Sequence, residues 1–164
     1  MKIEVIPNVL TIEEVSVLMS EVDPKTTAED MTYFSEVKDK YGAKKVKCSD
    51  HRIVQLVIQR LGIPSQNVES VSIVYYPTGS HNGMHADNCI IDNGIVKQIK
   101  SWTHTGIIFL NNDFTGGELV YPNQGCIFLP TIGTMVITPA GAEYTHMVNQ
   151  ITSGERFTLV FRII

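Results

Sequence analysis

The chain has 164 residues, 43% of them hydrophobic and 18% charged, which is the balance of a globular domain with one core. Its formal net charge of −4 gives no electrostatic reason to expect nucleic acid or an anionic membrane as a partner. Three widely spaced cysteines argue against a disulfide framework or a zinc site. Since we find no signal peptide and no apolar run of membrane-spanning length, we expect a cytoplasmic protein.

The first part of the chain is predicted to contain a short strand at 3–6 and two helices. Thr11 and Glu14 have the spacing of a capping box, and apolar residues continue that helix to about Val22. Asp50 is predicted to cap the second helix, and Gly62 to end it. The apolar face of this second helix is predicted to consist of Ile53, Leu56, Val57 and Leu61. The polar segment 24–48, with a short strand near 31–34, is a candidate lid.

From Val68 onward, short segments rich in β-forming residues alternate with turn signals. The predicted strands are 71–76, 84–91, 103–110, 118–121, 125–129, 134–138 and 157–163. Many strands after two N-terminal helices indicate a mainly β, jelly-roll barrel with the helices bracing its sheet. We therefore predict a single domain over 1–164, with a helical part at about 1–67 and a jelly-roll core at about 68–164.

His85 and Asp87 form a His-x-Asp pair in one of these strands. Because residues i and i+2 of a strand point to the same face, an imidazole and a carboxylate could meet there. A third ligand from a distant strand, His146, would complete a two-histidine, one-carboxylate set. Such a set occupies one face of Fe(II) and leaves positions open for a co-substrate and O2.

Arg156 begins a final strand with clean alternation. Arg156, Thr158, Val160 and Arg162 share one face, and Phe157, Leu159, Phe161 and Ile163 share the other. Either the arginine face is exposed to solvent, or it turns into the barrel, where a guanidinium can bind a carboxylate with two hydrogen bonds. A buried, unpaired arginine is unfavourable, so an inward Arg156 requires an anionic partner.

The ordered motifs resemble those of Fe(II)- and 2-oxoglutarate-dependent dioxygenases of the prolyl 4-hydroxylase-like kind. The segments that carry the resemblance are 76–79, 85–88, 105–111, 114–118, Pro130, Gly133, 146–148 and 153–157. The resemblance implies a double-stranded β-helix fold with the cupin-like jelly-roll architecture. It implies His85, Asp87 and His146 as the iron ligands, and Arg156 as the partner of the distal carboxylate of 2-oxoglutarate.

The same resemblance implies the reaction and its participants. Fe(II), 2-oxoglutarate and O2 would hydroxylate a C–H bond, with succinate and CO2 as co-products and ascorbate as an auxiliary reductant. The expected substrate is a prolyl or other side chain of a peptide or protein, and nucleic acid is not expected. The ligands hold the metal, so no separate catalytic side chain is predicted.

The sequence departs from the family at several positions. Asn82 stands where a tyrosine often precedes the first iron ligand, and Phe109 stands where a tyrosine hydroxyl helps to bind the co-substrate. Thr105 and Tyr76 are the predicted substitutes for that hydroxyl, with Thr105 favoured because it shares a strand face with Phe109. Arg162 replaces a common tryptophan, and together with Asn82 it is a candidate substrate contact.

Two alternative functions remain open at this level. The strand from Arg156 to Arg162 is also similar to the corresponding strand of AlkB-type nucleic-acid dealkylases, although the acidic net charge opposes that reading. A non-catalytic, cupin-like domain that binds a metal or a small anion is the second alternative, because a fold does not fix a function.

Overall fold

A computed structural model describes residues 2–31 and 42–164 of the chain. The described helices are α1 (Ile12–Val22), α2 (Pro24–Thr27) and α3 (Arg52–Leu61). The described strands are β1 (Glu4–Ile6), β2 (Glu29–Asp30), β3 (Lys44–Lys47), β4 (Val68–Tyr76), β5 (Asn82–His85), β6 (Cys89–Asp92), β7 (Ile95–Gln98), β8 (His104–Phe109), β9 (Thr115–Gly116), β10 (Leu119–Tyr121), β11 (Cys126–Phe128), β12 (Met135–Pro139), β13 (His146–Val148), β14 (Ile151–Ser153) and β15 (Arg156–Ile163).

Two antiparallel sheets make up the barrel. The major sheet has seven strands in the order β1-β12-β8-β15-β4-β3-β2, and the minor sheet has four in the order β11-β10-β13-β5. Two short ribbons, β9 with β14 and β6 with β7, complete the strand pairing of the described residues. The mainly β, double-stranded β-helix fold with N-terminal helices is confirmed.

One face of the major sheet packs against α1 and α3 in an apolar core. Leu18 of α1 and Val54 of α3 are fully buried there, as are Ile73, Leu159 and Phe161 of the central strands. The predicted alternation of the last strand is therefore confirmed, because its aromatic and aliphatic side chains point to the helices.

The other face of the major sheet is directed at the minor sheet. A second apolar cluster lies between the two sheets and includes Ile107 and Val136 from the major sheet and Leu119 and Val148 from the minor one. Beside this cluster the barrel also encloses polar side chains, which come from both sheets and from the loops between strands. The buried polar side chains of the described residues are Ser80, Asn82, Asp87, Thr105, Thr138, His146, Arg156 and Thr158.

The helices follow the predicted patterns with one change of cap. Thr11 and Glu14 form the capping box of α1, with Glu14 N–H to Thr11 Oγ1 at 3.2 Å and Thr11 N–H to a Glu14 oxygen at 2.9 Å. The prediction that Asp50 caps the second helix is wrong. His51 is the N-cap residue, and its Nδ1 accepts the Ile53 N–H at 3.2 Å.

The buried face of α3 is also displaced from the predicted one. Its buried residues are Ile53, Val54, Val57 and Ile58, whereas Leu56 is 37% exposed. An i, i+3, i+4 stripe that includes Val54 and Ile58 faces the sheet instead of one through Leu56. In a short helix with many apolar residues, the packing partner decides which stripe is buried.

The predicted strand 84–91 is interrupted. β5 ends at His85 and β6 begins at Cys89, and residues 86–88 between them are outside any strand. The candidate lid at 24–48 is described in part. Its described ends form α2, β2 and β3, and the two strands extend the major sheet. Most of the predicted strand near 31–34 falls outside the described residues. Within residues 2–31 and 42–164, no helix is long and apolar enough to cross a bilayer.

Candidate metal centre and carboxylate pocket

The three predicted metal ligands meet inside the barrel. The ligand atoms of His85, Asp87 and His146 all lie within 4.8 Å of one another. His85 Nε2 lies 3.7 Å from Asp87 Oδ1, and His146 Nε2 lies 3.7 Å from Asp87 Oδ2. Ligand atoms on one face of an octahedral ion, each about 2.1 Å from it, are about 3 Å apart, so the farthest pair must close by roughly 2 Å when a metal binds.

The backbone sets the direction of both imidazoles. His146 on β13 is the cross-strand partner of His85 on β5, so the two rings project from neighbouring strands of the minor sheet. His85 Nδ1 lies 2.8 Å from the Gly83 carbonyl oxygen, and His146 Nδ1 lies 3.0 Å from that of Tyr144. Because a carbonyl oxygen only accepts, each Nδ1 donates, and each Nε2 carries the lone pair that could bind a cation.

Asp87 reaches the site from a bend, which corrects the reasoning that placed it in the sequence. The argument from a shared strand face is wrong, because the strand ends at His85 and Asp87 lies in the bend that follows. The chain leaves the minor sheet there, and the bend turns the carboxylate back between the two imidazoles. The three residues meet as predicted, but through loop geometry.

The Asp87 carboxylate has one oxygen with a donor and one without. Arg162 Nη1 donates to Asp87 Oδ1 at 2.7 Å, whereas Asp87 Oδ2 is buried with no hydrogen-bond partner among the described residues. Burial by itself would raise the pKa of Asp87, but Arg162, the two imidazoles and the Thr105 hydroxyl lower it well below the usual range. The carboxylate is thus held as an anion, which fits a cation between the imidazoles.

Arg156 lies in the same cavity and brings a positive charge, whereas Asp87 brings a negative one. Its side chain is only 1% exposed, and Nε and Nη2 have no hydrogen-bond partner among the described residues. Its remaining nitrogen, Nη1, lies 3.5 Å from Thr158 Oγ1. Burial lowers the pKa of Arg156, as expected for a guanidinium without a counter-ion, so the arrangement fits an incoming carboxylate.

Aromatic rings wall the guanidinium of Arg156. Its Cζ lies 5.0 Å from the Tyr76 ring centroid and 5.5 Å from that of Phe109. Burial raises the pKa of Tyr76, so its phenol stays protonated. Gly117, at a φ of +68°, lies against the side chains of Arg156 and Ile151. A Cβ added there would be 3.1 Å from Arg156 Cδ and 2.4 Å from Ile151 Cδ1.

One cavity is lined by all eight predicted site residues. It is lined by Met31, Val74, Tyr76, Asn82, His85, Asp87, Thr105, Ile107, Leu119, His146, Val148, Arg156, Thr158, Val160 and Arg162. Asn82 is buried beside the metal ligands, with Nδ2 3.4 Å from His85 Nε2. Thr105 Oγ1 accepts a hydrogen bond from Arg162 Nη1 at 2.8 Å, so its described contacts are with Arg162 and Asp87.

Sequence reasoning assigned no site role to seven lining residues of this cavity, of which Thr158 is the polar one. Thr158 is the hydroxyl nearest to Arg156 in the described contacts, and its position two residues along the same strand face was the available signal. Met31 lines the cavity from the N-terminal part of the chain, and no motif marked it. Arg162, a predicted substrate contact, also contacts a ligand of the candidate metal site, and its contact with substrate stays a prediction.

Solved structures share this fold over almost the whole chain. The viral collagen prolyl hydroxylase of Paramecium bursaria Chlorella virus 1, solved with 2-oxoglutarate, superposes with a TM-score of 0.76 at 17% identity, covering 99% of this chain and 96% of that one. The chain has the fold of the prolyl hydroxylases. The Pseudomonas putida prolyl 4-hydroxylase gives a TM-score of 0.66 at 18% identity, covering 99% of this chain and 92% of that one.

A third structural neighbour with the prolyl hydroxylase fold was solved with a peptide. It is the Trichoplax adhaerens enzyme in complex with a fragment of hypoxia inducible factor, with a TM-score of 0.70 at 16% identity, covering 98% of this chain and 83% of that one. The prolyl 4-hydroxylase-like resemblance seen in the sequence is confirmed.

Curated relatives match a shorter part of the chain. Rat prolyl 3-hydroxylase 2 is 30% identical over 84 residues, or 44% of this chain, and human prolyl 3-hydroxylase 3 is 30% identical over 87 residues, or 46%. The match spans only 12% of the length of each of these relatives. No family model matches the chain.

Proposed function

We propose that this chain is a single-domain Fe(II)- and 2-oxoglutarate-dependent dioxygenase that hydroxylates a prolyl residue of a peptide or protein. One observation carries the proposal. Among the described residues, the cavity holds Asp87 Oδ2 without a donor, and Arg156 with two nitrogens, Nε and Nη2, without an acceptor. A divalent metal satisfies the first and a carboxylate satisfies the second, and 2-oxoglutarate is a ligand that joins the two.

Each group of the site has a role in this proposal. His85, Asp87 and His146 would hold Fe(II), and Arg156, with Thr158 beside it, would bind the distal carboxylate of 2-oxoglutarate. Bound iron with 2-oxoglutarate and O2 supplies the oxidising chemistry that turns a C–H bond into an alcohol, giving succinate and CO2, with ascorbate as an auxiliary reductant.

The protein's own contribution is orientation and the exclusion of water. The Gly83 and Tyr144 carbonyls fix the imidazoles, and Arg162 holds one oxygen of Asp87, so the other oxygen would be available to hold the metal. The rings of Tyr76 and Phe109 cover the Arg156 guanidinium, which strengthens its attraction for a carboxylate. Thr105, beside Arg162 and Asp87, stays a proposed contact of the co-substrate near the metal, and Asn82 stays a proposed substrate contact.

The relatives support the peptide substrate. Prolyl hydroxylases recur among the structural and the curated matches, and one neighbour was solved with a peptide fragment. These matches favour neither the nucleic-acid dealkylase nor the non-catalytic binding domain. A cytoplasmic location stays a prediction from the sequence.

The test is reconstitution of the full chain with Fe(II), 2-oxoglutarate and a panel of proline-containing peptides. We expect succinate formation and a one-oxygen gain on peptide, read by mass spectrometry. His146→Ala should abolish both and should lower Fe(II) retention after anaerobic dialysis. His104→Ala is the matched control, because His104 lies on the major sheet outside the lining of the cavity.

Succinate formation that needs no Fe(II), or that survives in His146→Ala, would refute the proposal. Retention of Fe(II) by the wild type without any succinate would leave the metal site standing and reject the dioxygenase activity. Oxygen gain on a methylated oligonucleotide, but on no peptide, would reject the substrate class alone.

A further inference from the structure

Asn111 lies at the end of the major sheet where β8 separates from Arg156. β8 ends at Phe109, and one main-chain bond beyond it joins the Leu110 N–H to the Phe157 carbonyl oxygen at 3.0 Å. Extended by these residues, the antiparallel register of β8 and β15 places Asn111 opposite Arg156. Asn111 is therefore the residue of the neighbouring segment that can reach the backbone of Arg156.

The Asn111 side chain replaces the main-chain pairing at this point. Its Oδ1 accepts the Phe157 N–H at 2.8 Å, and its Nδ2 donates to the Glu155 carbonyl oxygen at 2.7 Å. These two groups belong to the two peptide units on either side of the Arg156 Cα. Because each peptide unit is planar, fixing both of them fixes φ and ψ of Arg156, and with them the direction in which its side chain leaves the strand.

A third contact sets the orientation of the Asn111 amide. Nδ2 also donates to Asp113 Oδ1 at 2.6 Å. The amide oxygen thus faces a main-chain N–H, which only donates, and the amide nitrogen faces a carbonyl and a carboxylate, which only accept. An amide rotated by half a turn would lose all three hydrogen bonds, so the side chain has one arrangement that fits this position.

Arg156 depends on this support because it is the first residue of its strand. The chain enters β15 from a turn at Gly154, whose φ is +76°, and the ends of strands open more readily than their centres. On one side Arg156 pairs with Tyr76 of β4, and on the other side the Asn111 amide holds its two peptide groups. The guanidinium itself adds little, since Nε and Nη2 have no hydrogen-bond partner among the described residues.

The side chain of Glu155 is held separately. Its carboxylate accepts from the Tyr75 hydroxyl at 2.5 Å and pairs with Lys25 of α2. Those contacts hold the end of a side chain with several rotatable bonds, whereas the Asn111 amide holds the peptide groups themselves. The direction of the Arg156 side chain therefore depends on Asn111 more than on this ion pair.

We propose that Asn111 is a positioning residue for 2-oxoglutarate, which acts by setting the backbone of Arg156 so that the guanidinium meets the distal carboxylate. This inference rests on the proposed function, in which Arg156 binds that carboxylate. A guanidinium forms two parallel hydrogen bonds with a carboxylate only when their planes and directions match. A strand end that opens would spread the guanidinium over several directions, and restricting them on binding would cost affinity.

The test is the binding of two keto acids to the Fe(II)-loaded full chain, measured by anaerobic equilibrium dialysis. 2-Oxoglutarate carries a distal carboxylate and pyruvate lacks it, although both present the same keto-acid end to the metal. Asn111→Asp keeps the size and the acceptor but loses both donors, so the Kd of 2-oxoglutarate should rise about five- to tenfold. The Kd of pyruvate and the retention of Fe(II) should not change, whereas a loss of folding would weaken all three.

Two further variants sharpen this comparison. Asp113→Ala keeps the Asn111 amide but removes the acceptor that orients it, so the Kd of 2-oxoglutarate should rise about twofold. Asp113 is exposed, so this variant should fold as the wild type does. Tyr75→Phe is the matched control with an unchanged Kd, because it removes a hydrogen bond near the start of β15 without altering the contacts of the peptide groups beside Arg156.

Turnover gives a second measurement of the same effect. With a peptide that the wild type hydroxylates, Asn111→Asp should raise the KM for 2-oxoglutarate by the same factor and change kcat by less than about twofold, because the metal ligands are unaltered. If the wild type forms no succinate but the selective loss of 2-oxoglutarate affinity is found, the dioxygenase activity fails and the role of Asn111 stands.

Two results would overturn the role of Asn111. One is a Kd of 2-oxoglutarate that does not rise in Asn111→Asp, or that rises together with the Kd of pyruvate, in an enzyme that forms succinate. In that case the dioxygenase activity stands without this positioning residue. The other is a wild type that binds no 2-oxoglutarate, which would reject both proposals.

Discussion

The two faces of the seven-stranded sheet are built from the same strands, but they differ in whether the arginine on each face is paired with a carboxylate. On the helix side, Arg60 of α3 makes a paired contact with Glu14 of α1, with Nη2 to Oε1 at 2.8 Å and Nη1 to Oε2 at 3.0 Å. On the site side, Arg156 is buried with two nitrogens unpaired among the described residues. A paired charge contributes to the stability of the fold, whereas a buried charge without a partner is unfavourable until a ligand pairs with it.

The largest expected effect lies on the helix side. Leu159 is fully buried between the sheet and the helices, so Leu159→Ala should lower the free energy of unfolding by about 2–5 kcal/mol. Denaturant unfolding measures the loss, and Leu129→Ala, at a side chain that is 70% exposed, is the control. A loss no larger than that of the control would mean that this face is not the core.

On the site side, the opposite sign is expected for Arg156→Met. Removing a buried guanidinium without a counter-ion should stabilise the ligand-free protein by about 1–3 kcal/mol, because an unsatisfied charge is replaced by an apolar chain of similar length. The variant should also lose the stabilisation that 2-oxoglutarate gives the wild type in thermal unfolding. Destabilisation without ligand would show that the guanidinium is satisfied, and the contrast between the faces would fall.

A smaller effect is expected at the arginine that contacts Asp87. Arg162→Lys should weaken Fe(II) retention by about 10- to 100-fold, because a shorter ammonium replaces the planar guanidinium that contacts both Asp87 and Thr105, so the carboxylate is oriented less firmly. Anaerobic equilibrium dialysis measures it. Arg52→Lys is the control, since Arg52 pairs with Glu21 on the helix side. Unchanged retention would mean that the contact of Arg162 with Asp87 does not affect the metal site.

The smallest effect is expected at the satisfied ion pair. The hydrogen bonds from Arg60, and then that of Thr11, lower the pKa of Glu14 from its usual value of 4.5. Stability from a depressed carboxyl pKa is present above the unfolded value and is lost as the pH falls through the folded one. Glu14→Gln should therefore cost about 0.5–1 kcal/mol at neutral pH and progressively less below about pH 4.

Urea unfolding at neutral and acidic pH measures this dependence. Glu4→Gln on β1 is the control, because Glu4 is exposed and lies outside the capping box and the ion pair. A difference between Glu14→Gln and the wild type that does not shrink in acid would mean that the pairing is not electrostatic.

Much of the difference between the two faces of the major sheet could be predicted from the sequence. The alternation from Arg156 to Ile163 separated a polar face from an apolar one, because a strand repeats every two residues whatever surrounds it. The capping box of α1 was likewise predicted from local spacing, whereas the set of three metal-site residues followed from the order of motifs that resemble the family's. Local geometry suffices for the first feature but not for the second, because the strand-face argument for Asp87 was wrong.

Other features depended on contacts between distant segments. Which stripe of α3 is buried, the bend that carries Asp87, and the contact of Arg162 with that carboxylate all arise from packing between elements far apart in the chain. The sequence by itself determined which residues can do chemistry and which face of each strand they share. Only the tertiary structure decided their distances and partners, because those depend on where the chain turns and on what packs against it.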